Sequence, residues 1–356
     1  MIISLTLAVL LNQAAAFQPI VTKMSGCYIA AEVHTKDGKS HMLLLDSGSN
    51  ESYVSDSIVS DEERKHGEAV IRLDVGPTQM FAVAQPVPDA KIEASIEGLP
   101  TEGVLGINLL KQMQLEIDYD AQIVSARYGG ALSWAGKDYS PILMERDPDN
   151  LYTVAGQVGE VFVRLCVDTG ASAMVLDSGR VKLEGFQKLS SAKLRTFSGA
   201  PESSRFLLDS VKLGDQSFPW MVAYSQIWNS SDDGTIGTDQ FGSPRIILDF
   251  PGSCLYLAKS NPVSEAAQRV LGLPVQIDGN ALRFRDNLPE RFRSSSGAKI
   301  VAIRSMSADT IVAALEGKGP EAAKTLASVF SQIRELGLVT TERDGQRTLV
   351  PIQVQD

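Results

Sequence analysis

Two aspartates, Asp46 and Asp168, stand in settings that suit acid–base chemistry. Each follows an apolar run, Leu43-Leu44-Leu45 and Leu165-Cys166-Val167, and each opens an Asp-(Ser/Thr)-Gly tripeptide. A carboxylate at the end of a buried strand is costly to desolvate unless something offsets that cost. A second carboxylate held against it gives the placement a use. Two acids in contact cannot both ionise easily, so they share one proton over a wide acidic range. The ionised member can take a proton from a water between them. The protonated member can polarise the carbonyl under attack and later deliver a proton to the leaving amine. No covalent intermediate, metal or cofactor is needed. Around the acids, the hydroxyls of Ser47 and Thr169 can brace the two loops. Gly48 and Gly170 let the backbone approach the carboxylates, and Ser49 and Ala171 continue the turns.

What must position these acids is a repeat. LLLDSGSNESYVSD from Leu43 and LCVDTGASAMVLDS from Leu165 each read as an apolar strand, the tripeptide, a polar stretch and a second apolar strand. Each is preceded by a hairpin with a turn at glycine, Asp37-Gly38 in one copy and Gly156 to Gly159 in the other. Downstream, Gly103 to Gly106 (GVLG) and Gly234 to Gly237 (GTIG) each lead into an alternating strand. Those strands end in Asp118-Tyr119 and Asp249-Phe250, with 15 residues from first glycine to aspartate in both copies. The strands are short and bounded by Gly, Pro, Asn and Asp, so both copies read as all-β. They cover roughly residues 17–133 and 138–259, joined near Gly129-Gly130 and Gly136-Lys137-Asp138.

The pieces LLLDSGS, LCVDTGASAMVLD, GVLGINLL and GTIGTDQF resemble those of aspartic peptidases, over about residues 26–258. The two-lobed single chain is pepsin-like and the local motifs are retropepsin-like. The resemblance implies a mainly β fold of two acid-protease β-barrel lobes related by a pseudo-twofold axis, with Asp46 and Asp168 as the catalytic pair. It also implies supporting turns at Gly103, Gly106, Gly234 and Gly237, an endopeptidase acting on peptide or protein substrates, and activity as a monomer. The candidate flap is the hairpin from Ala69 to Ala84, turning near Gly76-Pro77, which lacks the tyrosine and glycine pattern of the pepsin flap. A catalytically inactive shell that binds peptide, or assists assembly, stays open beside the enzyme.

Residues 260–356 differ in character. Val270-Leu271-Gly272-Leu273 and Lys299 to Ile303 read as strands, Lys318 to Gly337 has helical spacing, and Arg343-Asp344-Gly345 reads as a turn before a last strand. This order resembles a small α+β PDZ-like domain of the kind appended to bacterial peptidases. Its implied ligand is a protein C-terminus added as a strand.

Composition bounds the alternatives. The first 258 residues carry a net charge of −12 against +2 for the remainder, and an acidic body repels phosphate backbones, which argues against nucleic-acid binding. Residues 1–16 form an apolar run ending in Ala14-Ala15-Ala16, which reads as a signal peptide and predicts a secreted or periplasmic protein with no membrane span. The three histidines, His34, His41 and His66, form no His-Glu-x-x-His, so no metal site is expected. Cys27, Cys166 and Cys254 are too few and too scattered for a disulfide scaffold, and at most one bridge can form.

Overall fold

In the computed structural model, the described residues are 16–25, 27–93, 99–133, 135–193, 202–227, 231–271, 273, 275–285, 295–304, 306–336 and 338–351. The signal-peptide reading falls on residues outside that set, apart from residue 16. The chain forms two units, Met1–Tyr152 with Arg245–Leu257, and Thr153–Pro244 with Ala258–Asp356.

The first unit holds a closed ring of six strands. In spatial order they are Tyr28–His34, Ser40–Leu45, Gly103–Leu105, Ser52–Ser55, Thr78–Val87 and Ala69–Val75, and the last returns to the first through His34 opposite Arg72. Hydropathy explains the local choices. Along Ala69–Val75 the residues Ala69, Ile71, Leu73 and Val75 are buried while Val70, Arg72 and Asp74 are not, as a strand with one face on a core requires. Leu43, Leu44 and Leu45 are buried on both faces, because their strand pairs in parallel with Gly103–Leu105 inside the ring. An unbroken leucine run therefore precedes Asp46 for a packing reason.

The second unit repeats this ring. Tyr152–Val158, Val161–Asp168, Gly234–Gly237, Met174–Asp177, Gln216–Gln226 and Glu202–Leu213 follow in the same spatial order, closed by Val158 opposite Val211. The parallel and antiparallel pairings also match position for position around the two rings. The mainly β architecture with two barrel lobes is thus present in the backbone. The expected turns form at Gly38 and Gly159, both at positive φ. Gly156 lies inside a strand instead, where a Cβ would overlap the carbonyl of Lys212 at the ring closure.

A six-stranded sheet adjoins the first ring, in the order Gln18–Pro19, Ile123–Tyr128, Met113–Asp118, Arg245–Asp249, Cys254–Ala258, Tyr139–Leu143. Its two central strands come from equivalent places in the two repeats, and they pair symmetrically. Gln114 faces Asp249, Asp118 faces Arg245, and Glu116 faces Ile247 at the centre. Gln114 and Arg245 are equivalent, as are Asp118 and Asp249, so a local twofold axis passes through this pair of strands.

The tail belongs to the second unit. Its sheet runs Val275–Asp278, Ala281–Phe284, Lys299–Ile303, Leu338–Arg343, Gln346–Pro351, with helices Pro262–Leu271, Ala308–Glu316 and Pro320–Leu336. The expected helix and the last hairpin form, with Asp344 and Gly345 at positive φ in the turn. Val270 and Leu271, read as the start of a strand, instead finish a helix. Asn261 starts it: its Oδ1 accepts from the amides of Val263, 2.9 Å, and Ser264, 3.4 Å, with Pro262 at the first helical position. The tail shares one buried core with Leu207, Trp220 and Val222 of the ring. Trp220 Nε1 donates to the Leu315 carbonyl at 3.0 Å. The buried Arg269 guanidinium donates to the carbonyls of Pro219, 2.7 Å, Phe241, 3.0 Å, and Trp220, 3.4 Å, and burial pushes it down to about 10. Tail and ring are thus knit by apolar contact and by a charge that is fully engaged.

Candidate active site

Each unit carries one half of the proposed pair, built the same way. In the first, Ser40–Leu45 delivers Asp46, whose amide donates to the Leu105 carbonyl at 3.1 Å and so extends the parallel pairing by one residue. The chain then turns. Gly48 N donates to Asp46 Oδ1 at 3.0 Å and Ser49 N to the Asp46 carbonyl at 3.2 Å. In the second, Gly170 N donates to Asp168 Oδ1 at 2.7 Å. An amide two residues on, pointing at the carboxylate, is a donor that favours its ionised form. Asp46 is 8% exposed, with Ser47 and Thr169 buried beside the two acids.

The supporting glycines act through their missing side chains. A Cβ on Gly103 would overlap the carbonyl oxygen of Tyr53, and one on Gly234 the carbonyl oxygen of Val175. Tyr53 and Val175 each lie seven residues after the aspartate. The same backbone approach therefore recurs in both rings, and only glycine permits it. Gly106 likewise has the Glu51 carbonyl where a Cβ would sit. Gly237 N donates to the Ala173 carbonyl at 3.1 Å, closing the second loop.

Three polar residues that the sequence patterns did not single out complete the half-sites. Ser52, fully buried, accepts from Gly106 N at 3.0 Å and donates to Asn108 Oδ1 at 2.7 Å. Asn108 Nδ2 in turn reaches the Val83 carbonyl at 2.8 Å, tying the loop after Asp46 to the neighbouring hairpin. In the second unit, Thr235 Oγ1 lies 3.1 Å from the Cys166 carbonyl and 3.4 Å from Asp168 Oδ2. Thr235 is visible in the sequence only when GTIG is set against GVLG, where a hydroxyl replaces a valine. Ser49, expected at the acid's loop, donates its hydroxyl to Glu51 O at 2.8 Å.

Gly76 and Pro77 form the expected two-residue turn between Ala69–Val75 and Thr78–Val87. The structure places that turn against Gln18, whose side chain fills the space where a Gly76 Cβ would sit. Arg72, on the way to the turn, pairs with His34, and His34 pairs with Ser40. The structure places the turn beside Gln18. In the second ring the equivalent turn is Gly214-Asp215, with Gly214 N bonded to Ala155 O at 3.0 Å. The strand Gln187–Lys193 pairs outside it with Glu202–Leu213.

Cys27, Cys166 and Cys254 are unbridged. Among the described residues no helix is long and apolar enough to cross a membrane.

These features set the class, a mainly β chain with acid-bearing loops in paired barrels, and sequence comparison adds to it. Residues 154–240 match the aspartyl protease family model, a segment that contains Asp168 and Gly234 to Gly237. No curated protein matches the chain. Among solved structures, basic 7S globulin from soybean is similar with a TM-score of 0.40 at 12% identity, over 70% of this chain and 95% of that one.

Proposed function

We propose that the chain is an aspartic endopeptidase in which Asp46 and Asp168 form one site. The observation that carries this reading is that the two Asp-(Ser/Thr)-Gly loops occupy the same position in two rings of identical strand order. In each loop the carboxylate takes a hydrogen bond from the amide two residues on. The ionised acid would take a proton from a water held between the pair. That water would attack the scissile carbonyl, and the other acid would protonate the leaving nitrogen. Both acids lie in one chain, so the monomer is the working form.

The tail is read as a PDZ-like module for protein C-termini. Support comes from its exposed outer strand Gln346–Pro351, the last in its sheet, which can accept an added strand. The apolar run in residues 1–16 supports export.

The test is hydrolysis of a peptide library from acid to neutral pH by wild type, Asp46→Asn and Asp168→Asn. Both variants should lose at least about 10²- to 10⁴-fold, the range for removing an acid–base group. Cleavage that survives in either variant contradicts the mechanism. Peptide binding without cleavage in all three proteins would assign the fold to peptide capture instead.

A further inference from the structure

The two rings present equivalent apolar faces, and only one of them is covered. In the first ring Val70 lies opposite Val83, and Phe81 stands two residues before Val83. In the second, Leu207 lies opposite Val222, and Trp220 stands two residues before Val222. The neighbouring strands fix the equivalence. Ala84, next after Val83, pairs with Ser52, and Ala223, next after Val222, pairs with Met174. Ser52 and Met174 each lie six residues after the aspartate of their ring. Leu207, Trp220 and Val222 are buried in the core shared with the tail. Val70, Phe81 and Val83 are 47%, 56% and 48% exposed.

We propose that this face of the first ring docks a basic amphipathic helix of a partner protein. The second ring shows what such a face accepts. There the helix Pro262–Leu271 brings Ala266, Ala267, Val270 and Leu271, one stripe of its surface, into the core around Leu207, Trp220 and Val222. Its Arg269 donates to the carbonyls of Pro219 and Trp220 on the strand beneath. On the first ring the three side chains form one patch, because Val70 and Val83 are a cross-strand pair and Phe81 is the diagonal neighbour of Val70. Contiguous apolar surface left in water marks a site of association.

Size and charge select the occupant. Half-exposed faces of three side chains fall far short of the roughly 800 Å² that each partner buries in a stable dimer. A single helical stripe matches the patch, and a second copy of the chain does not. Residues 17–152, which contain the ring, carry 11 basic and 21 acidic side chains, a net charge of −10. That field attracts a cationic helix and repels an anionic lipid surface. Within the hairpin, Arg72 opposite Phe81 is held by Asp74, Nε to Oδ1 at 3.0 Å, and Glu68 stands two residues before Val70.

The experiment titrates the full chain, labelled with ¹³C in its valine methyl groups, with a synthetic peptide of residues 260–273 carrying Glu265→Lys. The tethered tail holds the second-ring face at high effective concentration, so the peptide is left the first-ring face. The Val70 and Val83 methyl resonances should shift and saturate, and added salt should weaken the binding. Phe81→Asp should weaken it by at least about tenfold. Val83→Thr keeps the branched shape of the strand and gives a second reading should the aspartate disturb the hairpin. Methyl resonances that do not shift, or binding that is indifferent to both substitutions, would overturn the proposal. Phe81-dependent dimers in sedimentation without peptide would overturn it in favour of a second copy. Phe81-dependent binding to phosphatidylglycerol vesicles would overturn it in favour of a lipid surface.

Discussion

Gln114 lies directly opposite Asp249, and its amide nitrogen donates to the buried carboxylate at 3.1 Å. The twofold-related pair is Arg245 opposite Asp118, where Arg245 Nε donates to Asp118 Oδ2 at 3.2 Å. One geometric relationship is thus realised with two chemistries. Asp249 is completely buried and also takes the amides of Leu132 and Gly252, whereas the Arg245 side chain is about half exposed.

The two pairs should respond unequally to substitution. Gln114→Ala strips a donor from a buried carboxylate, at a cost of about 1–3 kcal/mol. Arg245→Ala removes one partner of a solvent-screened ion pair, at a cost of about 0–1 kcal/mol. Urea unfolding of both variants checks this, with the larger loss expected for Gln114→Ala.

Gly103→Ala and Gly234→Ala should be equivalent lesions. Each places a methyl group on the backbone carbonyl of the strand that follows the loop of a proposed catalytic aspartate, Tyr53 in one ring and Val175 in the other. Overpacking of this kind costs about 1–3 kcal/mol or more. Because the displaced strand pairs with the one supporting the aspartate, activity should fall in both variants even at temperatures where they remain folded.

Ending the chain near residue 260 should destabilise the second ring. Trp220, about 1% exposed, is covered by tail side chains and bonded to Leu315 O, and Arg269 fastens the same strand to the helix Pro262–Leu271. Trp220→Ala should cost about 3–5 kcal/mol, as for other large core truncations. Calorimetry should show the transition of the second unit moving while that of the first stays put.

Much of this was legible in the sequence because it was local and repeated. The leucines before Asp46, the tripeptides, and the glycines at 103 and 234 each have a short-range physical reason, and their recurrence fixed a shared unit. Ring closure was not legible, since His34 opposite Arg72 and Val158 opposite Val211 join segments with no pattern linking them. The helix Pro262–Leu271 was missed because Val270-Leu271 is too short an apolar run to tell strand from helix, although Asn261-Pro262 was a start signal. The turn at Gly76 was readable as a turn, but its neighbour Gln18 depends on how the N-terminal strand joins the sheet. Thr235 gains meaning only from the atoms around it.

The central claim is that two half-sites make one site. Isothermal titration with a peptide bearing a non-hydrolysable hydroxyl in place of the scissile carbonyl, a mimic of the tetrahedral intermediate, tests it most directly. One molecule should bind per chain, with a proton-linked enthalpy in acid, and Asp46→Asn and Asp168→Asn should each weaken binding by about 10²-fold or more. Binding that is indifferent to either aspartate, or two independent sites per chain, would contradict it.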